Sequence, residues 1–393
     1  MRSRAITLKI VHYLRSLDPA LGGVVAHVSD LAKLMTDAGQ DVTVITPNPE
    51  PRPSTLTGEG APTVVGVDQP ALGRALFSKR QLDHVMSLTE GADIIHLHGA
   101  WIPANIQIAS RARRAKRRYI ISPHGMLDDW CMSYHAARKH VFLSLAGRTF
   151  FERAVAIFFC AQGELEQAAH YIDNSAGRVV PAAMDLTPFT NLPGPAEAQR
   201  DIAGAAGDGP LVLFLSRVDH KKGLEVLLDA MSLIAKRRTP VPLVIAGTGE
   251  PRYVEKLKAQ AAALGIADTV HFVGLVRGTA KVSLFQRASL LALPTKQENF
   301  GLVLTEALAA GTPVITTKNV DIWPELEACN GGLIVDRTPE AFASAIESLL
   351  DEPQRAHDMG QTGHEWVHRD LSREVLSDRF LELYREAVTK PPR

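Results

Sequence analysis

Short apolar runs rich in Val, Ile and Leu alternate along this chain with longer runs whose apolar positions recur every three to four residues. "ITLKIVHYL" reads as a strand, and "VVAHVSDLAKLMTDAG" follows with helical spacing and stops at Gly39. "DVTVIT", "ADIIHLH", "RRYIISP" and "AVAIFFCA" continue the strands, with helices between them. That rhythm predicts a parallel sheet covered on both faces. A second series reads "LVLFLS", "VPLVIAG", "TVHFVG", "ASLLALP", "TPVITT" and "GGLIV", interleaved with helical stretches such as "GLEVLLDAMSLIAKRR" and "PEAFASAIESLL". The last 25 or so residues, "HRDLSREVLSDRFLELYREAV" among them, have an amphipathic helical pattern.

The rhythm breaks at residues 188–210, where Pro, Gly and Ala suggest a domain linker, and residues 47–62 form a Pro/Gly-rich loop. The expected fold is α/β, with two doubly wound Rossmann-like domains facing each other across a cleft, divided near residue 190. The length of 393 residues agrees with two domains. A formal net charge of zero argues against a general polyanion binder, so no nucleic-acid partner is expected. Cys131, Cys160 and Cys329 have neither metal-ligand nor redox spacing, which fits a reducing compartment. The basic start "MRSRAITLKIVHYL" is interrupted by Lys9 and His12 and reads as a strand, not a signal peptide. No apolar run approaches the roughly 18 residues of a membrane span. A cytoplasmic protein is expected.

In doubly wound sheets, ligands sit beyond the carboxyl ends of the strands. Gly22-Gly23 opens a helix after the first strand, as an anion seat or as a plain turn. "RVDHKKG" places Arg217 and Lys222 where they could grip a diphosphate from two sides, with Lys221 solvated. The alternative is a solvated basic turn. "GTGEP", from Gly247, would leave room for a nucleotide or sugar against the backbone, without a Walker pattern.

"QENFGLVLTEALAAGTPVITT" sets Glu298 and Glu306 on either side of a helix start at Phe300-Gly301. Backbone N–H groups at Gly301, Leu302 and Val303 would seat phosphate. The carboxylates could be an acid/base pair, a solvated face or a clamp on hydroxyls such as a ribose diol. A retaining hydrolase would hold two carboxyls about 5–5.5 Å apart across a sugar bond. A helix N-terminus and two separated cations are phosphate chemistry instead, so the clamp is favoured. "HLHGAW" and "SPHGMLDDW" place His96, His98, Trp101, His124 and Gly125 after two further strands. One packed histidine and one in the cleft is preferred to a His-x-His metal pair. No Asp-x-Asp occurs to seat a divalent cation on a diphosphate, so no metal is expected.

Taken together, these segments resemble the retaining nucleotide-sugar-dependent glycosyltransferases of family 4, with the GT-B fold. "ENFGLVLTEALAAGTPVI" carries the Glu-x7-Glu signature, and "FLSRVDHKKGLEVLLDA" and "LGGVVAHVSDLAKLMTDAGQDVTVIT" match two more. "SPHGML" and "DIWPEL" look most like the branch that builds bacterial surface polysaccharides. The resemblance implies an acceptor-binding domain over 1–190, a donor-binding domain over 191–371, and a helix at about 372–393 packing back onto the first. It implies that Arg217 and Lys222 hold the donor diphosphate, Glu306 the ribose, and Glu298 the donor sugar near the reacting carbon. The amides of Phe300, Gly301 and Leu302 would meet phosphate and sugar hydroxyls, with Gly23, Gly247 and Asn299 also on the donor. His124 would assist at the reaction centre; Gly22, His98 and Trp101 would face the acceptor. The nucleotide-diphosphate sugar would be a co-substrate, with no cofactor, and the acceptor a saccharide or polyprenyl-diphosphate-linked saccharide.

Two departures stand out. The family usually reads Pro-Asn-Gly-Val-Asp where this chain has "PAAMD", with Ala182-Ala183 replacing Asn-Gly, which removes an expected cleft-facing polar group. It often has Ser or Thr near Gln162 of "CAQGELE". The alternatives are a nucleotide-sugar epimerase of the same fold or a non-catalytic nucleotide-sugar-binding subunit. The basic run over 111–119 is read as a solvated face, with peripheral contact to the inner membrane face through 111–118 as the second reading.

Overall fold

Seven parallel strands build the first sheet: β1 Lys9–Tyr13, β2 Asp41–Thr46, β3 Thr63–Gly66, β4 Ile94–His98, β5 Tyr119–Ser122, β6 Ala156–Phe159 and β7 Gly177–Val179. Their order is β3-β2-β1-β4-β5-β6-β7. The computed structural model describes residues 7–71, 75–198 and 209–392, so the N-terminal part of the expected first strand, through Ile6, lies outside the described residues. The chain forms two units, Met1–Met184 with Arg373–Arg393, and Asp185–Ser372. β3 and β7 were not expected. Both are short edge strands with little buried surface, so neither carries a long apolar run.

Alternation along the strands gives this sheet two different faces. Val11, Tyr13, Ile95, Leu97, Ile121, Ile157 and Phe159 pack into an apolar core with helices α2 (Lys79–Leu88) and α3 (Pro103–Arg114). His12, His96, His98 and Phe158 project from the alternate positions. Helix α1 (Gly23–Asp37) buries Val25, Val28, Leu31, Ala32 and Met35 and ends where Gly39 takes a left-handed φ of 79°.

The terminal amphipathic stretch is not one helix. It breaks between Pro353–Asp370, in the second unit, and Arg373–Thr389, in the first. The last helix buries Phe380 and Tyr384. The Tyr384 hydroxyl lies 2.8 Å from His96 Nδ1, and Arg178 pairs with Glu386 at 2.5 Å.

The second sheet holds β8 Val212–Leu215, β9 Leu243–Ala246, β10 Val270–Gly274, β11 Leu290–Ala292, β12 Val314–Thr316 and β13 Gly332–Ile334. Its order is β10-β9-β8-β11-β12-β13, again parallel. Of the expected linker, residues 199–208 lie outside the described residues. Residues 189–198 dock on the second unit: Phe189 is buried, Gly194 N–H donates to Gln286 at 2.7 Å, and Ala198 N–H donates to Ser283 at 2.9 Å. Strand order reverses between β1 and β4 in one sheet and between β8 and β11 in the other, and such points are where doubly wound sheets bind ligands. No described helix is long and apolar enough to cross a membrane.

Tyr384 joins the last helix to the buried face of the first sheet. Tyr384→Phe should cost about 1–3 kcal/mol by leaving His96 Nδ1 without its partner. Tyr384→Ala should cost about 3–5 kcal/mol. Denaturant unfolding that finds both below about 0.5 kcal/mol would remove that role.

Candidate active site

The second unit gathers its expected residues at its own strand reversal. Arg217 follows β8 as an exposed side chain. Asp219 caps the turn His220–Lys222, its carboxylate accepting from Lys221 N–H at 2.8 Å. Gly223 then takes a φ of 72°, and a Cβ there would sit 2.0 Å from the Pro294 carbonyl oxygen, so only glycine allows the approach. Lys296 N–H and the Thr295 hydroxyl both donate to the Lys221 carbonyl, at 2.7 and 3.1 Å. These bonds lace the loop after β8 to the loop after β11. Lys222 is thereby turned inward, 7% exposed, and ion-paired with Glu298.

Glu298 is held by its own backbone. Its N–H donates to Asn319 O at 2.8 Å, and its carbonyl accepts from Asp321 N–H at 3.0 Å. Phe300 is buried, and Gly301, at φ 70°, caps the helix Leu302–Ala309. Leu302 and Asn299 are half-buried beside it. Glu306, on the second turn, pairs with Lys281 Nζ at 2.6 Å. The two carboxylates thus hang on different ammonium groups, on either side of a helix N-terminus. An ammonium neighbour suits a carboxylate that accepts hydrogen bonds.

Gly247 corrects its expected role. A Cβ on it would lie 1.8 Å from Ser216 O, and one on Gly249 2.0 Å from Val218 O. Val218 and Gly249 form a bridge there. The direction a side chain would take from these glycines is filled by the chain after β8, so the missing Cβ serves that close pass, and contact of Gly247 with a donor remains a proposal.

In the first unit, Gly22 (φ 87°) joins a short turn to α1, and Gly23 opens that helix, exposed. Trp101 donates its indole N–H to Met126 O at 2.8 Å and meets Phe142 edge-on. The histidines require a larger correction. His96 and His98 are two residues apart on β4, so both point to one face of a covered sheet, and both are fully buried. The expectation of one packed histidine and one in a cleft fails for that reason. His98 exposes no surface to an acceptor. It bonds His12 on one side and His124 on the other, each at 2.9 Å.

His124 keeps part of its surface, at a φ of 57°. The next residue, Gly125, is also left-handed, and its N–H donates to Glu164 Oε1 at 2.6 Å. Glu164 also accepts from Cys160 N–H at 2.7 Å, so one buried carboxylate braces the turn carrying His124. Sequence reasoning missed Glu164, because the residue at the helix cap is Ala161 and no Ser/Thr-x-x-Glu signature marks it. It also missed His12 and His27, whose signal is a lone polar residue within an apolar strand or helix face. His27 Nδ1 accepts from Ala183 N–H at 2.8 Å. Ala182 and Ala183 are buried, and Ala183 supports the histidine through its backbone N–H, which a glycine would also offer.

Burial keeps this cluster neutral. It lowers His12 to about 3 and His27 to about 4, and holds His96, His98 and His124 well below the ordinary imidazole range, with neighbouring imidazoles adding to the effect. Two groups, His12–His96–His98 and His27–His124–Cys160, bring ligand atoms within 4.8 Å of one another. Most of their nitrogens already serve hydrogen bonds, His12 Nε2 being an exception. His27 Nδ1 is an acceptor, so Nε2 carries its one proton, and both nitrogens of His98 are bonded. Of the basic run, Arg111 pairs with Asp83, Arg117 donates to Met86 O and Thr89, and Arg118 donates to Lys390 O. Arg114 and Lys116 are its exposed members.

Residues 22–183 match the model of the glycosyl transferase 4-like domain, and residues 195–366 that of glycosyl transferases group 1. A D-inositol 3-phosphate glycosyltransferase of Segniliparus rotundus is 33% identical over 213 residues, 53% of this chain and 47% of that protein, so the match spans about half of that relative. A GDP-mannose-dependent alpha-(1-6)-phosphatidylinositol monomannoside mannosyltransferase of Mycobacterium tuberculosis is 29% identical over 72% of this chain and 75% of its own. The fold matches Anabaena Alr3699/HepE in complex with UDP-glucose, with a TM-score of 0.77 at 20% identity, over 95% of this chain and 98% of that one. The chain belongs to the GT-B glycosyltransferases of family 4.

Neutral histidines set a pH dependence. An unfolded imidazole takes its proton near 6.5, whereas folded His27 does so near 4 and His12 near 3. Between those values the unfolded chain binds more protons, so stability falls as pH drops below about 6.5. The slope should be about 1.4 kcal/mol per pH unit for each such histidine. Unfolding free energies that stay level between pH 7 and 5 would contradict a neutral cluster.

Proposed function

We propose that this glycosyltransferase moves a hexose, with retention, from a UDP- or GDP-linked donor to a saccharide or lipid-linked saccharide in polysaccharide biosynthesis. The observation that carries this reading is the arrangement around Gly301: two lysine-paired carboxylates flank the N-terminus of the helix Leu302–Ala309. Glu306 would accept from the ribose hydroxyls, and Glu298 from the donor sugar. Lys222, already turned inward, and exposed Arg217 would take the diphosphate. His124 remains the proposed contact to the donor sugar at the reacting centre. Trp101 and Gly22 remain acceptor proposals.

As the glycosidic bond breaks, negative charge grows on the leaving diphosphate while the sugar gains oxocarbenium character. The cations and the helix N-terminus stabilise that charge where it develops. The leaving phosphate oxygen takes the acceptor hydroxyl's proton on the same face. This route requires neither a carboxylate nucleophile nor a metal. The potential ligand groups found among the described residues are histidines and a cysteine of the first unit, a poor set for a cation that bridges phosphates. A lipid-linked acceptor would bring the protein to an anionic surface, where Arg114 and Lys116 are available to attract it.

Lys222→Ala and Arg217→Ala should each lower kcat/KM by roughly 10²-fold, the scale of one lost charge-stabilising donor. Near-wild-type transfer by either variant refutes its role. One of UDP or GDP, in EDTA and at about 100 times its Kd, should stabilise the fold by about 2.7 kcal/mol. A shift that appears only with Mg²⁺ added would overturn the metal-independent reading.

A further inference from the structure

The chain His12–His98–His124 is a hydrogen-bonded relay with one buried end and one open end. His12 Nδ1 meets His98 Nε2 at 2.9 Å, and His98 Nδ1 meets His124 Nε2 at 2.9 Å. At the inner end, His12 Nε2 is buried with no hydrogen-bond partner among the described residues. At the outer end, His124 keeps part of its surface, and Nδ1 is the ring nitrogen not used within the chain.

A neutral imidazole has one N–H and one lone pair. Each of the two N···N bonds needs one proton, and three neutral rings carry three. His98 must give in one bond and take in the other, so only two arrangements exist. In the first, His12 donates to His98, His98 donates to His124, and His124 presents Nδ1–H outward. In the second, every proton is moved across. His124 then presents a bare Nδ1, and His12 Nε2–H is buried without an acceptor. Orphaned buried N–H groups are rare because the lost hydrogen bond is not replaced. A bare nitrogen lone pair at that end is the better tolerated choice.

We propose that His12 and His98 are positioning residues that lock His124 in the Nδ1–H tautomer, making it an outward hydrogen-bond donor instead of a general base. The catalytic half of this rests on the glycosyl-transfer reading; the tautomer does not. His96 holds the relay's flank. Its ring centroid is 4.0 Å from that of His98, and its nitrogens engage Tyr384 and Ser122 at 2.8 Å each. His27, fixed as the Nε2–H tautomer by Ala183, packs edge-on to His124 at 5.4 Å. Glu164 braces the backbone turn. Burial keeps the rings neutral, so neither arrangement needs an imidazolium. A neutral donor can give a hydrogen bond to a ligand hydroxyl or phosphate oxygen, while a bare nitrogen can only accept.

The test is 15N NMR of the full chain labelled at histidine, in which protonated and bare ring nitrogens resonate far apart. His124 should show a protonated Nδ1 and a bare Nε2 in the wild type, with no substrate present. His98→Leu removes the donor to Nε2 and should shift His124 toward the Nε2–H form, lowering kcat about tenfold, the scale of one neutral hydrogen bond. KM for the donor should change less. His98→Asn offers an amide N–H near the place of Nδ1 and should restore both tautomer and kcat. A bare Nδ1 in the wild type, or an unchanged His124 tautomer in folded His98→Leu, overturns the proposal. If the wild type binds no nucleotide and transfers nothing, the transfer reading fails while the tautomer result still stands.

Discussion

A neutral imidazole offers one donor and one acceptor, and the first unit packs five of them close together. β1 and β4 are neighbours in register, with His12 opposite His96, and the two-residue repeat brings His98 to the same face. Among the described residues, no carboxylate is bonded to these rings. They satisfy one another, two hydroxyls from Ser122 and Tyr384, and one backbone N–H from Ala183. The last helix returns to this unit with its tyrosine on His96, which packs against the His98 ring without joining the hydrogen-bonded chain that ends at His124.

The second unit solves a different problem with opposite means. Its candidate groups are charged and, apart from buried Lys222, only partly buried, and four charged side chains are held as ion pairs: Lys222 with Glu298, Lys281 with Glu306. A ligand with both phosphates and hydroxyls could compete for both members of such a pair, taking the ammonium with one part and the carboxylate with another. The rigid element is the backbone lacing between the loops after β8 and β11, which includes the close pass of Gly223 by Pro294. Side chains can exchange partners there while the frame that positions them stays fixed.

Most of this architecture was legible because periodicity is a local signal. The six strands of the second sheet follow apolar runs, and its strand–loop–helix motifs carry Arg217, Lys222, Glu298, Gly301 and Glu306 within two short segments. What escaped were relations across the sheet. β3 and β7 are edge strands with too little burial to leave a pattern. Gly247 looked like space for a ligand because sequence shows the missing Cβ but not the Ser216 carbonyl that takes its place. His98 was expected to face an acceptor, whereas the two-residue strand repeat buries it on the same face as His96. Glu164 reaches Gly125 across 39 residues, and His12 reaches His98 across 86, distances over which no spacing rule operates.

The contrast between a charged unit and a neutral one fits the electrostatics of the proposed transfer. Cleaving a sugar from a diphosphate makes positive charge at the sugar and negative charge at the phosphate. Fixed cations belong with the phosphate, where they act in proportion to the charge that appears. An imidazolium beside the sugar would oppose its oxocarbenium character. A histidine that serves the sugar therefore does so best as an uncharged dipole, and keeping it uncharged near neutral pH is what burial and neighbouring imidazoles accomplish here. The relay settles the remaining degree of freedom, which nitrogen carries the proton. Without it a solvent-exposed imidazole would sample both tautomers and divide its population between a donor and an acceptor facing the same ligand.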